Sequence, residues 1–268
     1  LTIETASSVV IDSQTPWHNG LVHAPRNLDF AIIPGGGIAQ AAVYWMAAAE
    51  MAGLKALKGK KSGGWARQYI ETCIDRAQMV YQDRHKFASA GKYLSDLVIR
   101  GAKWWVDGEP ALISDATGVA NGPMVTRRFR AGQEKKGDIV LIASYSSNKP
   151  EDISLARQCR DKGLHVVAIC PFSEDSDASG PRLYKEADVA FNSYSPENWG
   201  VVPVEKLDRK VCPTTGVIGD LILWLLIAEW THVMAGRNLF PYFLKGIFMK
   251  NGTEYNNAMR PLFEARGW

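Results

Sequence analysis

From the middle of the chain onward, short unbroken apolar runs alternate with longer stretches whose apolar positions recur every three or four residues. Asp138-Ile139-Val140-Leu141-Ile142-Ala143 and Leu164-His165-Val166-Val167-Ala168-Ile169 are the clearest runs; Lys103-Trp104-Trp105-Val106 and Asp188-Val189-Ala190-Phe191 are shorter ones. Runs of this length, apolar at successive positions, are expected to be strands buried on both faces. Between them, Ala111 to Val119 and the amphipathic stretch Pro150 to Lys162 read as helices, and a last long helix is expected from Thr215 to about Met234. Strands alternating with helices in this way imply βαβ units, hence a parallel sheet with helices on both faces. The basic stretch Thr126 to Lys136 is expected to be a connection.

The N-terminal part reads differently. The first thirty residues are hydroxyl-rich, carry Pro16 and Pro25, and are expected to be irregular; Pro34-Gly35-Gly36-Gly37 ends whatever precedes it. Ile38 to Leu57 is rich in alanine and methionine and is expected to be a helix. Lys58 to Gly64 reads as a loop. Trp65 to Ile99 is helical by period, with Tyr69, Cys73, Ala77 and Val80 on one face, and Ala88 to Gly91 is the expected break.

Composition narrows the class. The 268 residues suffice for one large domain with an extension, and 46% hydrophobic with 22% charged residues is ordinary for a globular protein. The formal charge of +3 comes from interspersed residues, and the lysines of Lys55 to Lys61 lack interleaved aromatics, so no nucleic-acid partner is expected. Cys73, Cys159, Cys170 and Cys212 have no metal-ligand spacing, so neither metal nor disulfide is expected. The apolar run Val217 to Ile227 is interrupted by Asp220 and followed by Glu229, and reads as a core or interface helix outside any membrane. A cytoplasmic location is expected, with secretion or a periplasmic location the alternative if Leu1 is a processed start.

In an open parallel sheet, ligands bind beyond the carboxyl ends of the strands. Three loops fall there. Ser144-Tyr145-Ser146-Ser147-Asn148-Lys149 joins a strand to a helix, where outward N–H groups and hydroxyls suit a phosphate or sugar hydroxyls, although the same residues are common in polar turns and caps. Cys212-Pro213-Thr214-Thr215-Gly216 leads into the last helix, with Thr214 or Thr215 as cap. Asp107-Gly108-Glu109-Pro110 ends the first strand, and Glu109 is the candidate base, although an acid before a helix also complements the helix dipole. His165 lies inside an expected strand, where a core or surface histidine is commoner than a catalytic one; His85 and His232 lack a suggestive acidic partner, and Trp104, Trp105 and Trp199 read as packing. Gly35 to Gly37 does not match a nucleotide fingerprint, and no cofactor is expected.

Taken together these residues resemble one family. From Gly101 onward the chain is similar to sugar isomerase (SIS) domain proteins of an uncharacterised phosphosugar-isomerase-like branch. The pieces that carry the resemblance are Gly137-Asp138-Ile139-Val140 with Ser144-Tyr145-Ser146-Ser147, and Gly163 to Ile169. Arg182-Leu183-Tyr184-Lys185-Glu186-Ala187-Asp188-Val189, Cys212 to Gly219, and Gly252-Thr253-Glu254-Tyr255-Asn256 complete the set. The resemblance implies a three-layer, doubly wound, five-stranded parallel α/β sheet over residues 63–268, with residues 1–62 as an N-terminal helical extension. It also implies a homodimer or homotetramer. Its ligand would be a sugar or sugar phosphate held by Ser144, Ser146, Ser147, Lys149, Thr214, Thr215 and Asn256, with Glu109 or Glu254 as the base of an aldose–ketose isomerisation. The chain departs from the branch in having Asp107 to Ala111 where a histidine-bearing loop is usual, and Ser147 where a glycine is usual. A sugar-binding or regulatory SIS protein without catalysis is the alternative reading.

Overall fold

A computed structural model of the chain describes residues 11–16, 19–23, 28–58, 63–173, 179–197 and 200–268. Strands β1 (Gly20–Val22), within the first thirty residues expected to be irregular, and β2 (Ile32–Pro34), just after them, form a small antiparallel pair. Three helices follow: α1 (Gly36–Ala56), α2 (Trp65–Gln82) and α3 (Arg84–Ile99). Then come β3 (Trp104–Gly108), α4 (Pro110–Gly118), β4 (Thr126–Arg128), β5 (Ile139–Ala143), α5 (Pro150–Asp161), β6 (His165–Cys170) and β7 (Val189–Asn192). Helices α6 (Thr215–Gly236) and α7 (Gly252–Arg266) close the chain.

The main sheet runs β4-β3-β5-β6-β7, and every pair is parallel. Alternation along the strands sends Trp104, Val106, Ile139, Leu141, Val167 and Ile169 to one face and Trp105, Val140, Ile142, Val166, Ala168 and Cys170 to the other. The first face packs on α3, α4 and α6; the second packs on α5 through Ile153, Ala156 and Cys159. Burial on both faces is why these strands read as unbroken apolar runs. Outside α6, helices α1 and α2 add a further layer, joined through Ala42, Ala49, Tyr69 and Cys73 to Val217.

Helix α6 is 22 residues long and apolar enough to cross a membrane by length and composition, yet 67% of its most apolar window is buried inside this chain. It is enclosed by the sheet side on one flank and by α1–α3 on the others, so it has no polar stripe to show. Its sequence, with Asp220 in its second turn, is that of a core helix.

Two expectations are corrected. The long helical stretch breaks at Asp83, not at Ala88 to Gly91. The Asp83 carboxylate accepts the Tyr194 hydroxyl at 2.7 Å and the Lys86 ammonium at 3.0 Å, which ties the break to the loop after β7, whereas Ala90 and Gly91 are small residues buried in α3. The basic connection also contains a strand, the three-residue β4, whose Arg127 and Arg128 mark it as a short charged edge.

One buried acid aligns the two central strands. Asp138, 4% exposed, accepts Lys103 N–H at 2.9 Å, Trp105 Nε1–H at 2.8 Å and Lys135 N–H at 3.0 Å. Asp138→Ala strips the acceptor from all three donors, at about 1–3 kcal/mol for a buried group left unmet. A total near 3 kcal/mol lowers Tm by roughly 6–12 °C in a chain of this size, measurable by calorimetry; a fall under about 2 °C would contradict the role given to Asp138.

Candidate active site

The carboxyl ends of β3, β5, β6 and β7 meet the first turn of α6, and two adjoining chambers open there. An outer one of about 500 Å³ is lined by Glu109, Tyr145, Pro196, Arg209, Lys210 and Thr215, among others. An inner one of about 250 Å³ includes Trp45, Glu109, Ser144, Ser193, Thr215 and Asp220 in its wall. Glu109, Pro213 and Thr215 belong to both.

Glu109 reaches this junction because of the residue before it. Gly108 has φ +108°, and a Cβ there would run into the Ala143 carbonyl of β5, so only glycine allows this close approach. The chain then turns, Glu109 N–H donates to Ala143 O at 3.0 Å, and Pro110 opens α4. The half-buried Glu109 carboxyl titrates above the usual carboxylate range because burial disfavours its charge; Lys149 and the Tyr145 N–H oppose that rise.

The serine loop is satisfied from within. Ser144 Oγ donates to Ser146 O at 2.8 Å, and Ser146 Oγ donates to Asn148 Oδ1 at 2.5 Å. Both the N–H (2.9 Å) and the hydroxyl of Ser147 donate to Glu197 Oε1, while Glu197 Oε2 pairs with Arg182 at 3.3 Å. A carboxylate of the chain itself therefore holds the Ser147 donors that the sequence offered to a phosphate, and the loop's own groups hold the Ser144 and Ser146 hydroxyls. Lys149 pairs with Asp152 at 3.3 Å and lies 5.3 Å from the Tyr145 ring. Thr214 is wholly buried and shares a 2.8 Å hydrogen bond with Ser195, whereas Thr215 faces both chambers. The entry to α6 is held from the side by Tyr69, whose hydroxyl donates to Pro213 O at 2.9 Å.

Of the residues singled out in the sequence, Glu109, Ser144 and Thr215 thus share the inner chamber. Glu254 and Asn256 lie on α7 and line neither chamber; the Asn256 amide clamps the main chain of Lys245, accepting its N–H and donating to its carbonyl, both at 2.8 Å. His165 shares a 2.6 Å hydrogen bond with Tyr93, His85 and His232 are exposed, and Trp199 lies outside the described residues. Among the described residues no group of three or more His, Cys, Asp or Glu could hold a metal ion.

Sequence reasoning missed Asp115, Ser193, Glu197, Arg209, Lys210 and Trp45, and noted Asp220 only as an interruption. Asp115 of α4 and Asp220 of α6 lie side by side, both carboxyls within reach of where a Cβ on Gly37 would stand. Burial and the neighbouring Asp115 push Asp220 up to about 8, so Asp220 keeps its proton at neutral pH, and burial raises Asp115 as well. The signal available was an acid placed inside the most apolar helix of the chain.

The fold and site define a parallel α/β protein with a strand-end cleft carrying buried carboxyl groups. More particularly, the chain belongs to the family described as a domain of unknown function (DUF2529), which matches residues 78–221. Curated relatives include a UPF0309 protein of Shouchella clausii, 29% identical over 132 residues (47% of this chain, 53% of the relative). A UPF0309 protein of Caldanaerobacter subterraneus is 33% identical over 147 residues (51% of this chain, 58% of the relative). The matched stretches thus span only a little over half the length of these relatives. Among solved structures, the Vibrio vulnificus NanR protein complexed with ManNAc-6P is 11% identical with TM-score 0.39, covering 73% of this chain and 67% of that one. The C-terminal domain of glucosamine-fructose-6-phosphate aminotransferase from Francisella tularensis is 14% identical with TM-score 0.34, covering 70% and 52%. Both likenesses are slight, and neither bears on the site.

The raised Asp220 has a consequence for stability. The folded chain keeps this proton up to about pH 8, whereas an unfolded aspartate releases it near pH 4, about its ordinary value. The folded state therefore binds more protons across that window and loses stability as pH rises through it. Urea midpoints are expected to fall from pH 5 to pH 9 more steeply in the wild type than in Asp220→Asn; equal slopes would contradict a proton held by Asp220.

Proposed function

We propose that this chain binds a phosphorylated sugar across the two chambers and isomerises it between aldose and ketose forms. The observation that carries the reading is the place of Glu109: a half-buried carboxyl with raised proton affinity, at the junction of a cationic outer chamber and a polar inner one. A general base works best when its pKa lies near the operating pH, and burial moves Glu109 in that direction. The open-chain carbonyl end of the sugar would lie inside, with Trp45 and Ser144 in the wall around it. Its phosphate would meet the exposed Arg209 and Lys210. The serine loop then serves to shape the cleft, since Glu197 occupies the Ser147 donors. The SIS resemblance of the sequence supports the same class of substrate. An assembly of two or four copies is part of this reading.

In the reaction, ionised Glu109 takes the proton from the carbon beside the carbonyl and returns it to the former carbonyl carbon. A positioned base of this kind supplies roughly 10²–10⁴-fold. One observation favours a second reading, sugar sensing without catalysis: the anion-binding donors of Ser147 are already met by Glu197, so the chain has kept the loop while closing it.

Proton NMR in D₂O, with aldose and ketose phosphates of three to six carbons, separates the two. Conversion of at least one sugar, with deuterium entering at carbon and a loss of about 10²–10⁴-fold in Glu109→Gln, is expected. Thermal stabilisation by such sugars without conversion or exchange would overturn isomerisation in favour of sensing.

A further inference from the structure

We infer that Asp220, positioned by Asp115, is a second catalytic group of this cleft, facing the two oxygens of an open-chain sugar in the inner chamber. The inference rests on the isomerase reading and supplies what that reading lacks. Moving a proton between two carbons leaves a second proton to be moved between their oxygens, and Glu109 cannot do both at once.

Two buried polar atoms of the inner chamber point to a ligand. Asp220 is 6% exposed and Ser193 2%; both line the inner chamber, and Asp220 Oδ1 and Ser193 Oγ have no hydrogen-bond partner among the described residues. Buried polar atoms are nearly always paired, so two unmet ones on the wall of one cavity suit a hydroxylated guest. Aliphatic Ala41, Leu112 and Ile169 and the Trp45 ring complete a wall suited to a sugar's carbon skeleton.

The pair is built closely. Gly37, in the first turn of α1, lies against Asp115 Oδ2, where a Cβ would collide with the carboxyl oxygen. The glycine run Gly35 to Gly37 thus brings the N-terminal end of α1 beside two acids, whose charge that end of the helix favours. The groups that face Asp220 are Asp115 from α4, Glu109 across the chamber and the main chain at Gly37 from α1. Asp220, which keeps its proton at neutral pH beside Asp115, can give that proton and take one back.

The step balances. Glu109 takes the C2 proton of the aldose, the C2–H electrons form the C1–C2 double bond, and the C1 carbonyl electrons move to O1, which takes the Asp220 proton. The enediol then returns the O2 proton to Asp220 as C2–O2 becomes the carbonyl, and C1 takes the proton from Glu109. No external oxidant or reductant enters.

Asp220→Asn and Asp115→Asn keep shape while each removes one carboxyl, and the test uses the sugar phosphate that the wild type converts, beginning with glucose 6-phosphate and fructose 6-phosphate. Asp220→Asn is expected to lower conversion at least about 100-fold while the thermal shift given by that sugar phosphate remains. In Asp115→Asn the like charge is gone, so the alkaline limb of the rate profile moves to lower pH. Wild-type conversion by Asp220→Asn, or an unmoved alkaline limb in Asp115→Asn, would overturn the inference and leave the isomerase reading standing. If the wild type converts no sugar, the isomerase reading falls instead. Carboxyl ¹³C NMR of the wild type then decides: an Asp220 resonance that moves when a stabilising sugar phosphate is added supports contact, and an unmoved one overturns it.

Discussion

The parallel pairing of β3 with β5 is the constraint on which the rest depends. At its start Asp138 ties three donors of the neighbouring segments to one carboxylate. At its end Gly108 lies so close to Ala143 that no side chain fits. Between these points Trp104 to Gly108 pair in register with Ile139 to Ala143. The register sets where β3 stops, and so where Glu109 leaves the sheet. The cleft is a consequence of two strands held tightly enough that the next residue must turn outward.

Around that cleft the protein accepts electrostatic cost. Asp220 sits buried in a mostly apolar helix, and keeping it there requires holding a proton that water would remove. Glu197 does the converse, supplying negative charge to a loop whose N–H and hydroxyl groups favour an anion. One chamber is acidic and protonated, and its neighbour is rimmed by Arg209 and Lys210. That division by charge gives a two-ended ligand a direction.

Much of the fold was legible because burial on both faces writes itself as apolar runs: β3, β5, β6 and β7 and helices α1, α4, α5 and α6 were visible within a few residues, and the helical stretch holding α2 and α3 was visible with its break misplaced. What escaped had little local signal. Strand β4 is three residues of a basic segment, and β1 and β2 are short partners whose pairing is non-local. The break at Asp83 depends on Tyr194, a residue far along the chain. Of the site, Glu109, Ser144 and Thr215 were readable from their place at strand and helix ends. Asp115, Ser193 and Trp45 were not, because α1, α4 and the β7 loop meet only in three dimensions. Asp220 was seen as a flaw in a hydrophobic stretch, when an acid there is a statement about its neighbours.

The most direct test of the central claim is a crystal structure of the protein soaked with a sugar phosphate that stabilises it. The account predicts the sugar's carbonyl end in the inner chamber between Glu109 and Asp220, its phosphate at Arg209 and Lys210, and the Glu197 contact to Ser147 intact. A phosphate seated on the serine loop with Glu197 displaced, or a sugar bound away from Glu109, would contradict it.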